Sequence, residues 1–167
     1  MGIEFKPISE SDISRLATIF HSCLHHDYQG VLPPKVIDSF TTASSTALWR
    51  KSYSNQDSLH FLGAWNGELL VGFTKFGADP EDSTKGYLAS LYVDPDQSGH
   101  GIGRELLNHV LKELSSYPVT RLWVFDQNPR AIRLYEKLGF ARSGRVRTEA
   151  EWEALQCEMV LENPQTS

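Results

Sequence analysis

Three alternating glycines, Gly99, Gly101 and Gly103, separate a strand-like apolar segment from an amphipathic segment typical of a helix. Because glycine has no Cβ, backbone N–H groups in such a loop can converge on one point. The first amides of the following helix are unpaired and lie at the positive end of its dipole. The segment therefore predicts a site for phosphate oxygens. The alternative is a turn that serves only strand-to-helix geometry, although three glycines are more than such a turn requires.

The glycine spacing separates this loop from two common phosphate loops. A dinucleotide fold needs Gly-x-Gly-x-x-Gly early in the chain, and a P-loop needs Gly-Lys-Ser/Thr. Ser98–Gly103 instead resembles the Arg/Gln-x-x-Gly-x-Gly/Ala loop of the GCN5-related N-acetyltransferase superfamily, which binds the pyrophosphate of coenzyme A. Ser98 departs from the usual Arg or Gln, and Gln97 stands one place too early. We therefore expect that first polar contact to be weaker or to pass to the Ser98 hydroxyl.

A second segment, Asn128–Phe140, resembles a later motif of the same superfamily, and Leu91–Pro95 is also typical of it. The resemblance covers roughly Leu59–Leu161. It implies one mixed α/β (α+β) domain over residues 1–167, with a mostly antiparallel sheet splayed at the cofactor cleft and helices on both faces. Residues 1–58 would cap the acceptor side, and residues 59–161 would form the cofactor-binding core.

The elements that must position these motifs follow from hydrophobic periodicity and turn residues. Helices are predicted after Ser9–Asp12, around Val36–Phe40 and Ala47–Tyr53, from Ile102, and after Asn128. Strands are predicted at Ile3–Pro7, Leu59–Trp65, Leu69–Phe76, Tyr87–Val93, Val119–Phe125, Phe140–Val146 and Leu155–Leu161.

The resemblance also assigns roles to single residues. It places the family's general acid at Tyr135, whose phenol would protonate the departing thiolate of coenzyme A; the alternative is a core tyrosine. Asn128 would contact the cofactor or only cap its helix. The residues expected to bind acetyl-CoA are Leu91, Tyr92, Val93, Ser98, Gly99, His100, Gly101, Ile102, Gly103, Arg104 and Asn128.

The same resemblance implies that strand Tyr87–Val93 bulges and splays away from Val119–Phe125. The pantetheine arm of the cofactor would enter the gap and pair with the backbone around Leu91 and Val93. A backbone N–H there would stabilise the oxyanion. The acetyl group would move directly, without a cysteine nucleophile.

The base and the acceptor are less defined by the sequence. Many relatives use a Glu on the strand before the glycine loop, but Tyr87–Tyr92 contains no carboxylate, and Glu81 and Asp82 are expected to be solvated. We therefore expect a water-mediated base organised by Tyr87 or Ser90. Tyr28 and Trp49 are expected to border the acceptor site, with core packing as the alternative for Trp49.

Two further groups of residues could do chemistry. His21 and His25 have the i, i+4 spacing of a metal pair, but no HExxH motif or cysteine pair supports them, so we expect a partly exposed helix face and no metal. Cys23 and Cys157 lack CxxC spacing and are expected to be buried thiols in a reducing compartment.

Composition limits the remaining classes. The 167 residues are 40% hydrophobic and 22% charged, enough for one packed core, and the net charge is −5. The chain lacks the basic run expected of a nucleic-acid binder, an apolar run long enough for a membrane helix, and signal-peptide features at its N-terminus. We therefore expect a cytoplasmic protein that binds neither nucleic acid nor membrane, with a homodimer possible.

These observations predict an acetyl-CoA-dependent N-acetyltransferase that acts on a primary amine of a small molecule, amino acid or peptide. One alternative is a non-catalytic acetyl-CoA sensor or interaction module, which would keep the glycine loop and lose the catalytic groups. The other is a protein N-terminal acetyltransferase, which would share the loop.

Overall fold

A computed structural model describes residues 2–56 and 58–164. The predicted domain limits at residues 1 and 167 therefore lie outside the described residues. The helices are α1 (Ile13–Asp27), α2 (Pro34–Ser39), α3 (Thr42–Ser54), α4 (Ile102–Glu113) and α5 (Pro129–Lys137). The strands are β1 (Glu4–Lys6), β2 (Leu59–Asn66), β3 (Leu69–Ala78), β4 (Gly86–Val93), β5 (Val119–Phe125), β6 (Ala141–Glu149) and β7 (Ala154–Glu162).

The seven described strands form one sheet in the order β1-β2-β3-β4-β5-β7-β6. β4 and β5 pair in parallel, and the other neighbouring strands pair antiparallel. A parallel pair needs a crossover connection, which α4 supplies between β4 and β5. The predicted mostly antiparallel α+β sheet is confirmed.

Helices cover both faces of this sheet, as predicted. On one face α1, α2 and α3 pack against a cluster that includes Phe20 and Phe73. On the other face, α4 and α5 contribute Leu107 and Ile132 to a cluster with Leu122 of β5. Each fully buried side chain of this size contributes about 1.5–3 kcal/mol relative to exposure, so the two clusters fix the helices against the sheet.

A buried ionic network holds β5 in place. The guanidinium of Arg121 is 4% exposed and donates hydrogen bonds to both carboxylate oxygens of Asp79, which follows β3. It also contacts Glu158 of β7 at 3.4 Å and Glu81 at 3.1 Å. Burial alone would raise the pKa of Asp79, but the hydrogen bonds from Arg121 and the Glu81 amide outweigh it and lower that pKa. The charged pair therefore ties the β3–β4 connection to β5.

Two elements are longer than the sequence pattern predicts. α3 begins at Thr42 rather than near Ala47, because Thr41 and Ser44 form a reciprocal capping box with hydrogen bonds of 3.0 and 2.9 Å. β6 continues to Glu149 rather than ending at Val146, after a bulge that includes Gly144 at φ 97°. In the described ranges, no helix has both the length and the apolarity needed to cross a bilayer.

Candidate active site

The parallel pairing of β4 and β5 stops soon after it starts. Their register runs only from Gly86 to Leu88, opposite Thr120–Leu122. On the other side of β4, Phe76 of β3 pairs with Leu88 and Lys75 with Ser90, which leaves Ala89 as an extra residue. Such a bulge bends and twists its strand. Beyond it the strands separate around a cavity of about 950 Å³, which confirms the predicted bulge and splay.

The glycine loop forms part of the cavity wall, and Asp94 at its start is anchored to α1. Asp94 begins the loop, accepts a hydrogen bond from the Asp96 amide at 3.0 Å, and pairs with Arg15 of α1 at 2.6 Å. Gly99 and Gly101 have φ values of 85° and 77°, a left-handed conformation that favours glycine. Gly101 is also the N-cap of α4 and has no side chain to satisfy the first amides of the helix. These amides are thus available to an anion.

The predicted cofactor-binding residues all line this cavity, except His100. The His100 side chain is exposed outside it. Ile102 is 3% exposed and packs in the core beside Leu106, so only its backbone can serve a ligand. The Ser98 hydroxyl donates to the Pro95 carbonyl at 2.9 Å, and Gln97 lines the cavity beside it. Ser98 thus offers a ligand its oxygen as an acceptor, while Gln97 can supply a donor.

Tyr135 of α5 is both a core residue and a cavity residue. Its ring packs edge-on against Phe140 at a centroid distance of 5.9 Å, and it is 9% exposed. Burial raises the pKa of Tyr135 to about 12. Burial likewise raises the pKa values of the neighbouring phenols Tyr28 and Tyr92. All three phenols therefore keep their protons at neutral pH.

Asn128 serves the helix as well as the cavity. Its Oδ1 accepts a hydrogen bond from the Ala131 amide at 3.2 Å, which caps α5, and Pro129 occupies the first helical position. Because the oxygen is used by the cap, the Nδ2 group is the part of the amide that can donate to a ligand.

The residues expected at the acceptor side also line the cavity. Trp49 is 5% exposed and meets Phe73 edge-on at 5.0 Å, so it belongs to the core at the same time. Tyr28 meets Phe125 edge-on at 6.0 Å. The ring of Tyr87 lies 4.8 Å from the Arg121 guanidinium, and burial raises the pKa of the Tyr87 phenol. The backbone oxygen of Ser90 accepts from Thr74 at 2.7 Å.

The sequence analysis missed three carboxylates at the cavity wall. Asp27 ends α1, Glu149 ends β6, and Glu151 lies in the β6–β7 turn. The search for a base in the sequence considered only β4 and the turn before it, and these three carboxylates lie in other parts of the chain. The acidic run 149–153 was the available signal, but only the fold shows that it turns toward β4 and β5. Glu81 and Asp82 lie outside the cavity lining, as expected.

The two cysteines are free and buried, as predicted. Cys23 lines the cavity and donates from Sγ to the Val93 carbonyl at 3.1 Å. Burial raises the pKa of its thiol to about 12. A thiol held protonated in this way is a poor nucleophile.

Two of the three histidines of α1 pack against each other. The rings of His21 and His25 are 4.3 Å apart, and His25 Nε2 contacts the Phe40 carbonyl at 3.0 Å. Within residues 2–56 and 58–164, no group of three or more His, Cys, Asp or Glu side chains could hold a metal ion.

Comparisons with known proteins relate the chain to acetyltransferases. A probable N-acetyltransferase of Mycobacterium tuberculosis is 30% identical over 147 residues, covering 86% of this chain and 80% of that protein. A spermine/spermidine N(1)-acetyltransferase of Bacillus subtilis is 33% identical over 85 residues, 46% of this chain and 56% of that protein. A [ribosomal protein bS18]-alanine N-acetyltransferase of Escherichia coli is 47% identical over 55 residues, 32% of this chain and 37% of that protein.

Solved structures show the same fold. PaiA N-acetyltransferase from Thermoplasma acidophilum, in complex with coenzyme A, has a TM-score of 0.75 at 24% identity, covering 97% of this chain and 99% of that one. YncA from Salmonella typhimurium, a putative acetyltransferase with its cofactor acetyl-CoA, has a TM-score of 0.72 at 18% identity, covering 100% and 97%.

The family model of the acetyltransferase (GNAT) family matches residues 19–140, which include the glycine loop and Tyr135. Together with the relative that aligns along most of both chains, this match confirms the predicted enzyme class, an acetyl-CoA-dependent N-acetyltransferase. The chain belongs to the acetyltransferase (GNAT) family.

Proposed function

We propose that this protein moves the acetyl group of acetyl-CoA directly to the primary amine of a small molecule, amino acid or peptide. The observation that carries the proposal is one continuous cavity. Its lining includes the amides of the glycine loop, the protonated phenol of Tyr135 and three carboxylates. Anion binding, proton donation and amine binding are the three tasks that such a transfer requires.

The glycine loop and the start of α4 would bind the diphosphate. Arg104 of α4 and Arg130 of α5 line the same cavity and would add positive charge there. The unpaired edge of β4 after Ala89 would hold the pantetheine arm. Asn128 would donate from Nδ2.

In the reaction, the amine nitrogen attacks the thioester carbonyl carbon, and a β4 backbone N–H stabilises the oxyanion. The C–S bond then breaks, and the thiolate leaves with a proton from Tyr135. Because the Tyr135 pKa is raised to about 12, the phenol is available as a donor throughout the neutral range.

The acceptor must lose a proton before it attacks. A water molecule organised by Tyr87 or Ser90 remains our proposed carrier, and Glu149, Glu151 or Asp27 would receive that proton from the water. Exchanging each carboxylate for its amide and measuring kcat/KM against pH tests this route. In the variant that lacks the base, kcat/KM should no longer rise with pH. If all three variants keep the pH profile of the unaltered protein, the route is excluded.

The relatives act on different acceptors by name, including spermine or spermidine and a ribosomal protein. A protein N-terminus is therefore a second candidate acceptor, whereas membership of the acetyltransferase family speaks against the non-catalytic acetyl-CoA sensor. The buried Tyr135 phenol and the acidic cavity wall favour an enzyme, since a sensor needs neither.

Release of free thiol from acetyl-CoA with a panel of amines and N-terminal peptides tests the function. Acceptor-dependent release that falls in Tyr135→Phe is the expected result. Binding of acetyl-CoA without release on any amine or peptide would instead support the sensor.

A further inference from the structure

Arg15, in the first turn of α1, bridges β3 and the start of the glycine loop. Its Nε donates to the Leu70 carbonyl at 2.9 Å, and its Nη2 donates to Asp94 Oδ2 at 2.6 Å. The side chains of Arg15 and Asp94 are 32% and 13% exposed, so solvent screens this ion pair less than one on the open surface. Neither residue lines the cavity. Arg15 therefore acts on a bound cofactor through the residues that it holds, not by contact.

Asp94 is held at four polar groups. Its amide donates to the Val71 carbonyl of β3 at 2.8 Å, and its own carbonyl accepts from the Gln97 amide at 2.8 Å. Its Oδ1 accepts from the Asp96 amide at 3.0 Å, which leaves Oδ2 for Arg15. Asp94 thus joins the end of β4 to the turn that leads into the glycine loop, and α1 holds the carboxylate oxygen that this turn does not use.

The bridge depends on the shape of the arginine side chain. Leu70 and Asp94 both lie just beyond the last β3–β4 pair, Gly72 with Val93. A guanidinium carries its donors on separate nitrogens of one rigid plane, so Arg15 can serve both groups at once. A lysine ammonium has a single nitrogen on a flexible chain. Positive charge alone would therefore not reproduce the bridge.

The middle of the glycine loop depends on anchors at its two ends. Gly99 and Gly101 are exposed, and a Cβ built at either position meets nothing within 4 Å. At the helical end Ile102 is 3% exposed and fixes α4 in the core. At the strand end the anchor is Asp94. The direction in which the loop amides point is therefore set partly by the contact between Asp94 and Arg15.

We propose that Arg15 is a positioning residue for cofactor binding: it fixes Asp94, and Asp94 fixes the turn from which the loop amides would reach the diphosphate. The inference rests on the proposed binding of the diphosphate by this loop. Without the bridge the loop would occupy more conformations, and binding would have to order it. Ordering about one further residue lowers affinity by about tenfold. The pantetheine half of the cofactor, expected along β4, would be unaffected.

The test titrates Arg15→Gln with two ligands, coenzyme A by calorimetry and pantetheine, which lacks the diphosphate, by NMR. The Kd for coenzyme A should rise about tenfold, and the Kd for pantetheine should stay within about twofold. Lys35→Gln is the matched control, because it removes one positive charge from an ion pair with Glu153 that lies outside the cavity lining. An unchanged Kd for coenzyme A in Arg15→Gln, or an equal rise for both ligands, would overturn the proposal.

Two further variants separate geometry from charge. Arg15→Lys keeps the positive charge and loses the bridge, whereas Asp94→Asn removes a negative charge and keeps Oδ1 for the Asp96 amide. We expect both to weaken coenzyme A binding, because each breaks the contact between positions 15 and 94. If Arg15 only neutralised Asp94, Arg15→Lys would bind like the unaltered protein and Asp94→Asn would bind at least as tightly. That pair of results would overturn the positioning role.

Hydrogen exchange without ligand measures the positioning directly. The Asp96 and Gln97 amides, which both donate to Asp94, should exchange faster in Arg15→Gln than in Lys35→Gln. Equal exchange would contradict the proposal. If the unaltered protein fails to bind coenzyme A, the proposed function itself is wrong. Unaltered protein that binds coenzyme A no more tightly than pantetheine would exclude only diphosphate binding by the loop, and this inference with it.

Discussion

Gly101 allows the phosphate-binding loop to be tested separately from the stability of the fold. Its φ is 77°, and a Cβ built at this position meets nothing within 4 Å. Gly101→Ala therefore costs only the conformational penalty of the left-handed region, about 1–2 kcal/mol. For a domain of this size, each 1 kcal/mol corresponds to about 2–4 °C in Tm.

Gly101→Asp should separate the effect on fold stability from the effect on coenzyme A binding. Aspartate tolerates the left-handed conformation better than alanine, so its Tm should fall less. Its carboxylate, however, would stand at the opening turn of α4, where the diphosphate is expected. At a separation of about 5 Å and an effective dielectric constant of about 20, two unit charges repel by about 3 kcal/mol. This corresponds to a loss of about 100-fold in affinity for coenzyme A.

The assay is calorimetric titration with coenzyme A, with a thermal melt of each protein. Gly67→Ala is the matched control, because Gly67 has φ 63° and equally empty surroundings but lies in the β2–β3 turn. The Tm of Gly67→Ala should fall about as much as that of Gly101→Ala, and its affinity for coenzyme A should not change. If Gly101→Asp binds coenzyme A within about threefold of Gly67→Ala, the α4 amides do not bind the diphosphate.

Three further outcomes follow from the structure. Tyr135→Phe should lower kcat by about 10²–10⁴-fold, measured by thiol release, while the Kd for coenzyme A stays constant. Because burial raises the Tyr135 pKa from 10.0 to about 12, the unfolded chain loses this proton first as pH rises. The contribution of Tyr135 to stability should therefore be intact below about pH 10 and about 2–3 kcal/mol smaller by pH 12, which the difference in urea unfolding between the unaltered protein and Tyr135→Phe across this range measures. Asp79→Asn should destabilise the fold by about 3–5 kcal/mol, because it leaves Arg121 buried without its main partner. Asp82→Asn should cost much less, because the Asp82 side chain is 43% exposed and its Oδ1, which accepts from Thr84, is kept in asparagine.

The cofactor side was predictable because its chemistry is local in the sequence. A strand, a glycine loop and the first turn of a helix are consecutive, so their spacing predicts a phosphate site at Gly99–Gly103, and the resemblance to the family extends that prediction to coenzyme A. His100 is the exception, since it is exposed and does not line the cavity. The resemblance to the family also assigned roles to Asn128 and Tyr135, which two helical turns bring to one face.

The acceptor side was not predictable in the same way. Asp27 and Glu151 are far apart in sequence and line one cavity only because β7 lies between β5 and β6, which places the β6–β7 hairpin on the same side as the end of α1. The stacking of Phe40 on Trp152, with ring centroids 5.3 Å apart, has the same origin. Hydrophobic periodicity cannot place such contacts, since it reports which face of an element is buried and not which element covers it.

The interrupted pairing of β4 explains why the cavity can bind a cofactor arm. A β-strand edge with unpaired N–H and C=O groups is a liability in a folded protein, and it is usually paired or covered. Here the bulge at Ala89 ends the β4–β5 ladder after Leu88, although continued pairing would have satisfied more backbone groups. The Cys23 thiol satisfies only the Val93 carbonyl. We expect the rest of this edge to pair with the amide groups of a pantetheine chain, which would replace hydrogen bonds that the β4–β5 ladder does not form beyond Leu88.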